Sequence, residues 1–273
     1  MGYFILPFYW YFVCSFIRKI STQALKNKKQ FGLIGKNIEY SFSRKFFSKK
    51  FSSNDKFLNF DYKNYDIQSI EGVNRIFNHE KTSGLNVTIP YKEDIISFLD
   101  KISDEAKKIG SVNTICFEND MKIGYNTDIF GFTESLKANK IDNIDSVLIL
   151  GTGGAAKTIS YFCVKNDIPY NIVSRQSSKM HLLYNNLDKK NFLHKVLIVN
   201  CTPVGTFPEV NKCPELPYEI INKENIFFDL VYNPSETLFM KKGREIGCKA
   251  LNGYEMLRFQ AEMSWKLWSK TFE

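Results

Sequence analysis

The chain has 273 residues, with a hydrophobic fraction of 44% and an aromatic fraction of 15%, which suits one large domain or two small ones with packed cores. Its formal charge of +8 is spread over a lysine-rich chain without a basic helix or an arginine block, so it reads as composition rather than as a nucleic-acid surface. None of the six cysteines forms a CxxC pair, and His79, His181 and His194 lie far apart; this argues against a zinc site, a redox motif and histidine catalysis, and leaves Lys, Asp, Glu or Tyr for acid–base work.

Met1 to Ile17 carry no charge, and Arg18 and Lys19 follow. The stretch is short for a spanning helix, which needs about 20 apolar residues, and it lacks the basic start and cleavage site of a secretory signal. With Pro7 and its crowded aromatics it suits an interfacial anchor; the alternative is an extension without function. Residues 20–30 are polar and basic and read as a linker, so residues 1–30 form an extension ahead of the folded part. Scattered cysteines in a chain of this size point to a reducing compartment, the cytoplasm, with membrane tethering by residues 1–17 the less favoured reading.

The folded part begins with an apolar strand at 31–35, followed by a helix at 42–51 and a strand at 57–60. Ile67, Ile70, Val73, Ile76 and Phe77 recur at helical spacing and predict an amphipathic helix over 67–77. A strand at 85–89 stops at Pro90, short helices follow at 91–99 and 103–109, and 112–117 pairs with 121–125 as two strands. A helix over 128–138 bridges to a second unit. That unit has strands at 146–150, 170–173, 196–199 and 226–232, with helices at 154–166, 178–187, 236–247 and 254–270. Continuous β-branched strands alternating with helices imply an α/β fold with parallel strands covered on both faces.

The second unit opens with "VLILGTGGAAKT", Val147 to Thr158. As a nucleotide-hydrolysing loop it fails at Ala156, where a second glycine is required, and the strand 196–199 ends in Asn200 rather than a metal-binding acid. As a dinucleotide turn it is in register. Gly151 allows the tight turn, Gly153 lets the backbone approach a pyrophosphate, and Ala156 permits close packing of helix on strand. About 20 residues on, an NAD site carries an acid for the ribose hydroxyl. Here Arg175 and Lys179 stand instead, either as partners of a 2′-phosphate or as two solvated cations.

In the first unit, "GLNVTIPYKE" at 84–93, "IGSVNTI" at 109–115 and "GYNTDIFGF" at 124–132 place Asn, Thr and Asp where strands end, the side on which open α/β sheets gather ligands. With "IGKNIEYSFS" at 34–43, "VNCTPVG" at 199–205, "FDLVYNP" at 228–234 and "NGYEMLRFQA" at 252–261, these segments resemble the shikimate/quinate dehydrogenase family, in family order, from about Phe31 to Trp268.

The resemblance implies a two-domain α/β enzyme: an N-terminal open α/β substrate domain, a C-terminal Rossmann-like dinucleotide-binding domain and a cleft between them. Residues 31–127, closed by the C-terminal helix 254–270, would bind shikimate and carry the catalytic groups, and residues 128–253 would bind NADP(H). The implied reaction is the reversible NADPH-dependent reduction of 3-dehydroshikimate to shikimate, on the route to chorismate and aromatic amino acids. Alternatives are an NAD-dependent quinate/shikimate dehydrogenase and a non-catalytic binder of shikimate or nucleotide.

Carried over by residue, Lys92 and Asp128 are the catalytic pair: an ammonium beside the C3 oxygen, oriented by a carboxylate. Ser41, Ser43, Thr88, Asn113, Tyr232 and Gln260 bind substrate. Gly151, Gly153, Gly154 and Ala155 cradle the pyrophosphate, Arg175 and Lys179 meet the 2′-phosphate, and Thr202, Val231 and Gly253 line the adenosine-ribose or nicotinamide pockets. The partner is a small molecule, with no nucleic acid and no metal, in a monomer or homodimer. The chain departs from the family pattern at Asn37, at Tyr40, over residues 44–48, at Ser174 and at Thr206, none of them a proposed catalytic group.

Overall fold

Twelve strands and seven α-helices alternate along a computed structural model that describes residues 28–39, 41–79, 81–176, 178 and 180–272. The apolar stretch 1–17, the linker up to residue 27, Tyr40 and Lys179 lie outside the described residues. The chain divides into two compact units, one ending at Thr88 and the other beginning at Ile89. Among the described residues no helix is long and apolar enough to cross a membrane.

In the first unit β1 (Lys29–Gly35) lies between β2 (Phe60–Asp66) and β3 (Thr82–Val87), parallel to both. Six of the seven β1 residues are buried, as a central strand covered on both faces requires. The crossover helix α1 (Phe42–Ser52) starts at Ser41, whose hydroxyl accepts from the Arg44 N–H, a standard N-cap that satisfies one orphan donor. Its buried face carries Phe47 and Phe51 one turn apart; Phe47 stacks on Tyr62 of β2 with ring centroids 4.7 Å apart.

Two expectations in this unit are corrected. Residues 57–60 are not a strand: Asn54 caps a 3-10 turn at Asp55–Phe57, Leu58 is 70% exposed, and the strand starts only at Phe60. The apolar run "FLNF" misled because its aromatics pack at the sheet's end, where Phe57 and Phe60 meet at 5.2 Å. The helix expected over 67–77 shrinks to a 3-10 turn at Ile70–Gly72 and α2 (Val73–Phe77), since the Ile67 N–H continues the sheet pattern to the Gly35 carbonyl.

The second unit begins with a one-turn 3-10 segment, Asp94–Phe98, where a helix was expected over 91–99, and then β4 (Lys101–Ile102) and α3 (Asp104–Ile109). Helix α3 is capped by Ser103 and ends at Gly110 with φ 71°, the left-handed position that suits glycine. The strands β5 (Thr114–Glu118) and β6 (Met121–Tyr125) form an antiparallel hairpin closed by Asn119 and Asp120, both at positive φ, as a two-residue turn with matching twist demands.

Helix α4 (Asp128–Ala138) leads into the nucleotide-type sheet: β7 (Ser146–Leu150), α5 (Gly154–Lys165), β8 (Tyr170–Ser174), β9 (Leu182–Leu183), β10 (Val196–Asn200), β11 (Ile226–Asp229), α6 (Leu238–Ile246), β12 (Lys249–Leu251) and α7 (Tyr254–Ser269). The six strands are all parallel in the order β9-β8-β7-β10-β11-β12. Numbered from β7, this is the 3-2-1-4-5-6 order of the Rossmann fold, with its switch point between β7 and β10.

The helix expected over 178–187 is absent from the described residues there. β8 and β9 are joined by seven residues, 175–181, and Leu182 and Leu183 pair with Val173 and Ser174 instead. Parallel strands need about a dozen residues to return through a helix, so this connection is too short for one. The strand expected over 226–232 stops at Asp229: the Leu230 N–H makes the last ladder bond, to the Asn200 carbonyl, and the Val231 N–H then turns back to the Asp229 carboxylate.

Helix α7 packs on α4 at Gly131, where a Cβ would stand 2.5 Å from the Met256 carbonyl and 3.0 Å from the Gln260 Cβ. No larger residue fits this crossing. The approach brings Gln260 and Ser264 of α7 to the start of α4, and the Trp268 indole N–H bonds the Ile115 carbonyl of β5.

Candidate active site

Lys92 and Asp128 meet in the second unit. Lys92 follows Pro90 on the segment that precedes α3, and its carbonyl accepts from the Val112 N–H at 2.8 Å. Asp128 is the first residue of α4, where free N–H groups and the helix dipole favour an anion. The Lys92 Nζ lies 2.5 Å from Asp128 Oδ2, with the two side chains only 15% and 9% exposed. Such a pair is costly to bury and costly to break, because removing one partner strands the other charge.

The second oxygen of Asp128 is also fixed, since the Asn113 amide donates to Oδ1 at 2.8 Å. The same amide faces Thr127 Oγ1 at 3.0 Å and Gln260 Oε1 at 3.3 Å. Asn113 Oδ1 in turn accepts from the Thr127 N–H at 2.7 Å and from the Thr114 hydroxyl at 3.2 Å, and the Ser264 hydroxyl pairs with both threonines. The sheet hairpin, α4 and α7 thus converge on one polar cluster, buried throughout. Sequence reading identified Lys92, Asp128, Asn113 and Gln260, and the structure brings all four together. It missed Thr114, Thr127 and Ser264. The signal was there for Ser264, one helical turn after Gln260, and for Thr127, between Asn126 and Asp128.

The glycine loop adjoins this cluster. A Cβ on Gly154 would stand 2.9 Å from the Ser111 hydroxyl and 3.3 Å from the Lys92 Cβ, so the first residue of α5 lies against the stem of the catalytic lysine candidate. Gly151 has φ 108°, and a Cβ there would meet the Thr202 methyl at 2.9 Å. Around Gly153 a Cβ would meet nothing within 4 Å. No side chain caps α5 and no acid sits in its first turn. A glycine backbone open to solvent at the uncapped N-terminus of a twelve-residue helix is suited to a phosphate group.

Ala155 follows in the first turn of α5. Thr202 is held by Asn200, whose Oδ1 accepts from the Thr202 hydroxyl at 2.6 Å and from its N–H at 3.1 Å. Val231 and Gly253 are joined, the Gly253 N–H donating to the Val231 carbonyl at 3.3 Å. A Cβ on Gly253 would stand 2.4 Å from the Leu230 carbonyl, so this glycine is required by packing. Arg175 is exposed just past β8, and Tyr232 is half-buried beside Val231.

Ser41, Ser43 and Thr88 belong to the first unit. Ser41 and Ser43 are buried at the N-terminus of α1. Ser43 bonds Tyr62, whose phenol donates to Asn86 Oδ1 at 2.8 Å; burial holds the Tyr62 hydroxyl well above its usual titration range. Tyr62 and Asn86 were not foreseen as part of this cluster. Thr88 is half-buried just beyond β3, its N–H bonded to the Ile34 carbonyl. Among the described residues no group of His, Cys, Asp and Glu is arranged to hold a metal ion.

Comparison with known proteins finds similarity to shikimate dehydrogenases. The family described as the shikimate dehydrogenase substrate binding domain matches residues 33–115. The shikimate dehydrogenase (NADP(+)) of Methanococcus vannielii is 36% identical over 263 aligned residues, covering 87% of this chain and 90% of that protein. Among solved structures, shikimate dehydrogenase 1 of Peptoclostridium difficile superposes with a TM-score of 0.76 at 36% identity, covering 89% of this chain and 92% of that one. The Thermus thermophilus shikimate 5-dehydrogenase in complex with NADP(H) and shikimate superposes with a TM-score of 0.79 at 28% identity, covering 89% and 94%.

Proposed function

The chain belongs to the shikimate dehydrogenase family, and on that premise we propose that it reduces 3-dehydroshikimate to shikimate reversibly with NADPH. The observation that carries the reading is the buried Lys92–Asp128 pair, anchored through Asn113 beside the glycine loop. When bound, NADPH supplies the hydride. The Lys92 ammonium donates a proton to the developing C3 alkoxide and takes it back in the oxidative direction. Asp128 holds the ammonium in place with one oxygen and is itself held by Asn113 through the other.

Ser41 and Ser43 serve the substrate carboxylate, Thr88, Asn113 and Gln260 its carboxylate end or ring hydroxyls, and Tyr232 the ring and carboxylate. A site that matches each hydroxyl discriminates strongly, because an unpaired buried polar group costs about 1–3 kcal/mol. Gly151, Gly153, Gly154 and Ala155 hold the pyrophosphate on the α5 N-terminus; Arg175 and Lys179 meet the 2′-phosphate; Thr202, Val231 and Gly253 line the rest of the cofactor pocket. In domain terms, residues 31–127 with the helix 254–270 carry substrate and catalysis, residues 128–253 carry the cofactor, and the enzyme works in the cytoplasm as a monomer or homodimer. The test is steady-state turnover of the purified full chain with shikimate or quinate and NADP or NAD. Fastest turnover with shikimate and NADP is expected; fastest turnover with quinate and NAD would overturn the assignment.

A further inference from the structure

Asp229, the last residue of β11, is wholly buried and takes no part in the chemistry above. Its Oδ1 accepts from the Asn200 amide at 2.9 Å and from the Val231 N–H at 3.0 Å, and its Oδ2 accepts from the Thr237 hydroxyl at 2.6 Å. All three partners are neutral donors. Asn200 stands directly opposite on β10, and Thr237 caps α6 by accepting from the Met240 N–H.

We propose that Asp229 is a positioning residue for the NADP(H) pocket, acting through Asn200 and Val231. The inference rests on the cofactor reading given above. An ionised carboxylate can only accept, so it obliges Asn200 to turn its amide N–H toward Asp229 and its Oδ1 toward Thr202. That orientation is the one in which Thr202 donates both its hydroxyl and its N–H to Asn200. The Thr202 methyl then sits against Gly151 at the start of the glycine loop. Through the Val231 N–H the same carboxylate fixes the turn whose carbonyl receives Gly253. Four of the assigned pocket residues, Gly151, Thr202, Val231 and Gly253, are thus reached from Asp229 along contiguous contacts.

With an amide at position 229, only one oxygen remains to accept and the N–H can be taken up only by the Thr237 hydroxyl, with its bond reversed; the charge that holds Asn200 in one orientation is gone, and Asn200 is free to flip and present its own N–H to Thr202. Protonation of Asp229 has the same consequence, since the added hydrogen can go only to the Thr237 hydroxyl, whose bond it reverses, and the charge that orients Asn200 is lost. Burial pushes the carboxyl up to about 6, against the opposing pull of its three hydrogen bonds. The titratable groups that feel its charge are Cys201 and Tyr218, both pushed far above their usual ranges first of all by burial.

The experiment measures NADP+ and shikimate dissociation constants of the full chain by titration calorimetry, alongside thermal melting. Hydrogen bonds to a charged group contribute about 1.5–3 kcal/mol, so Asp229→Asn is expected to raise the NADP+ constant about ten- to a hundredfold and leave the shikimate constant within about twofold. In the wild type, NADP+ affinity falls as pH drops through about 6, and the variant keeps only the smaller dependence that the 2′-phosphate, which itself titrates at about 6, brings with it. An unchanged NADP+ constant, or an equal rise for both ligands, overturns the proposal. If Asp229→Asn does not fold, Thr237→Val removes one donor remote from the pocket. It is expected to weaken NADP+ several-fold, with Thr237→Ser restoring it; equal binding in the two Thr237 variants overturns the proposal. Because the readout is binding, a wild type that binds NADP+ but does not oxidise shikimate sinks the proposed function and still leaves the Asp229 result decisive.

Discussion

Two buried carboxylates stand at functional positions of the same unit, and they are held in opposite ways. Asp128 begins a helix, and a lysine ammonium 2.5 Å away answers its charge. Asp229 ends a strand, and only neutral groups answer it: a hydroxyl, an amide and a backbone N–H. On the proposed function, the first arrangement positions the Lys92 ammonium as the proton donor. The second offers no proton carrier and fixes only the geometry of its neighbours. Burial alone therefore does not mark a carboxylate as catalytic; the identity of what faces it does.

The comparison breaks most sharply at Lys92. Lys92→Ala removes the proton donor and leaves Asp128 buried without its cation. Turnover is expected to fall by a factor of about 10²–10⁴, measured as kcat at saturating shikimate and NADP. Unchanged kcat would mean that the pair is structural, like Asp229.

Asp229 makes the reverse prediction, one for stability. Burial in the folded state raises its carboxyl from 3.8 to about 6, so the folded chain binds this proton more tightly than the unfolded chain does. The stabilising contribution is full below pH about 4 and is lost as pH rises through about 6. Each tenfold gain in proton affinity corresponds to about 1.4 kcal/mol, so roughly 3 kcal/mol is at stake. Urea unfolding at several pH values should show the stability advantage of the wild type over Asp229→Asn shrinking by about that amount between pH 4 and 7. A pH-independent difference would mean that Asp229 is not strained by its charge. At neutral pH the chain holds this anion at a cost, which is expected where a geometry is kept for function.

How much of this was legible in the sequence follows the same division. The Lys92–Asp128–Asn113–Gln260 cluster could be read because each residue sits in a segment with family spacing, and α4 began at Asp128 as expected. Thr127 and Ser264 carried a local signal and Thr114 none, but all three meet only because α7 crosses α4 at Gly131, a long-range packing event that spacing alone does not give. Asp229 was hidden inside an apolar run taken as one strand to residue 232. The strand ends early because the Val231 N–H turns back to the Asp229 carboxylate, one of the bonds that make Asp229 a hub. The helix expected over 178–187 failed for a simpler reason: leucines at 182, 183 and 187 fit a helical face and a strand end equally well, and connection length decided between them.

A subtler test concerns how Lys92 is aimed. Gly154→Ala would place a methyl 2.9 Å from the Ser111 hydroxyl and 3.3 Å from the Lys92 Cβ. One of them must shift, and misplacing a reacting group by about an ångström costs up to 10²-fold in rate. Because the neighbours can share the displacement, a loss of about tenfold in kcat is expected, with thermal stability nearly unchanged. No loss in kcat would show that the ion pair to Asp128 alone aims the lysine.

The smallest effect belongs to the lysine of the glycine loop itself. Lys157 pairs with Glu93, the neighbour of Lys92, and both side chains are about 40% exposed. An ion pair in that setting contributes about 0–1 kcal/mol, unlike the buried pair one residue away in sequence. Lys157→Ala is therefore expected to change kcat and the melting temperature only slightly. A loss comparable to that of Lys92→Ala would mean that the Lys157–Glu93 contact governs how the glycine loop and the catalytic segment are held together. The contrast between buried and exposed charge would then fail to sort these pairs, because a solvated pair would be transmitting force to the site through the backbone of residue 93.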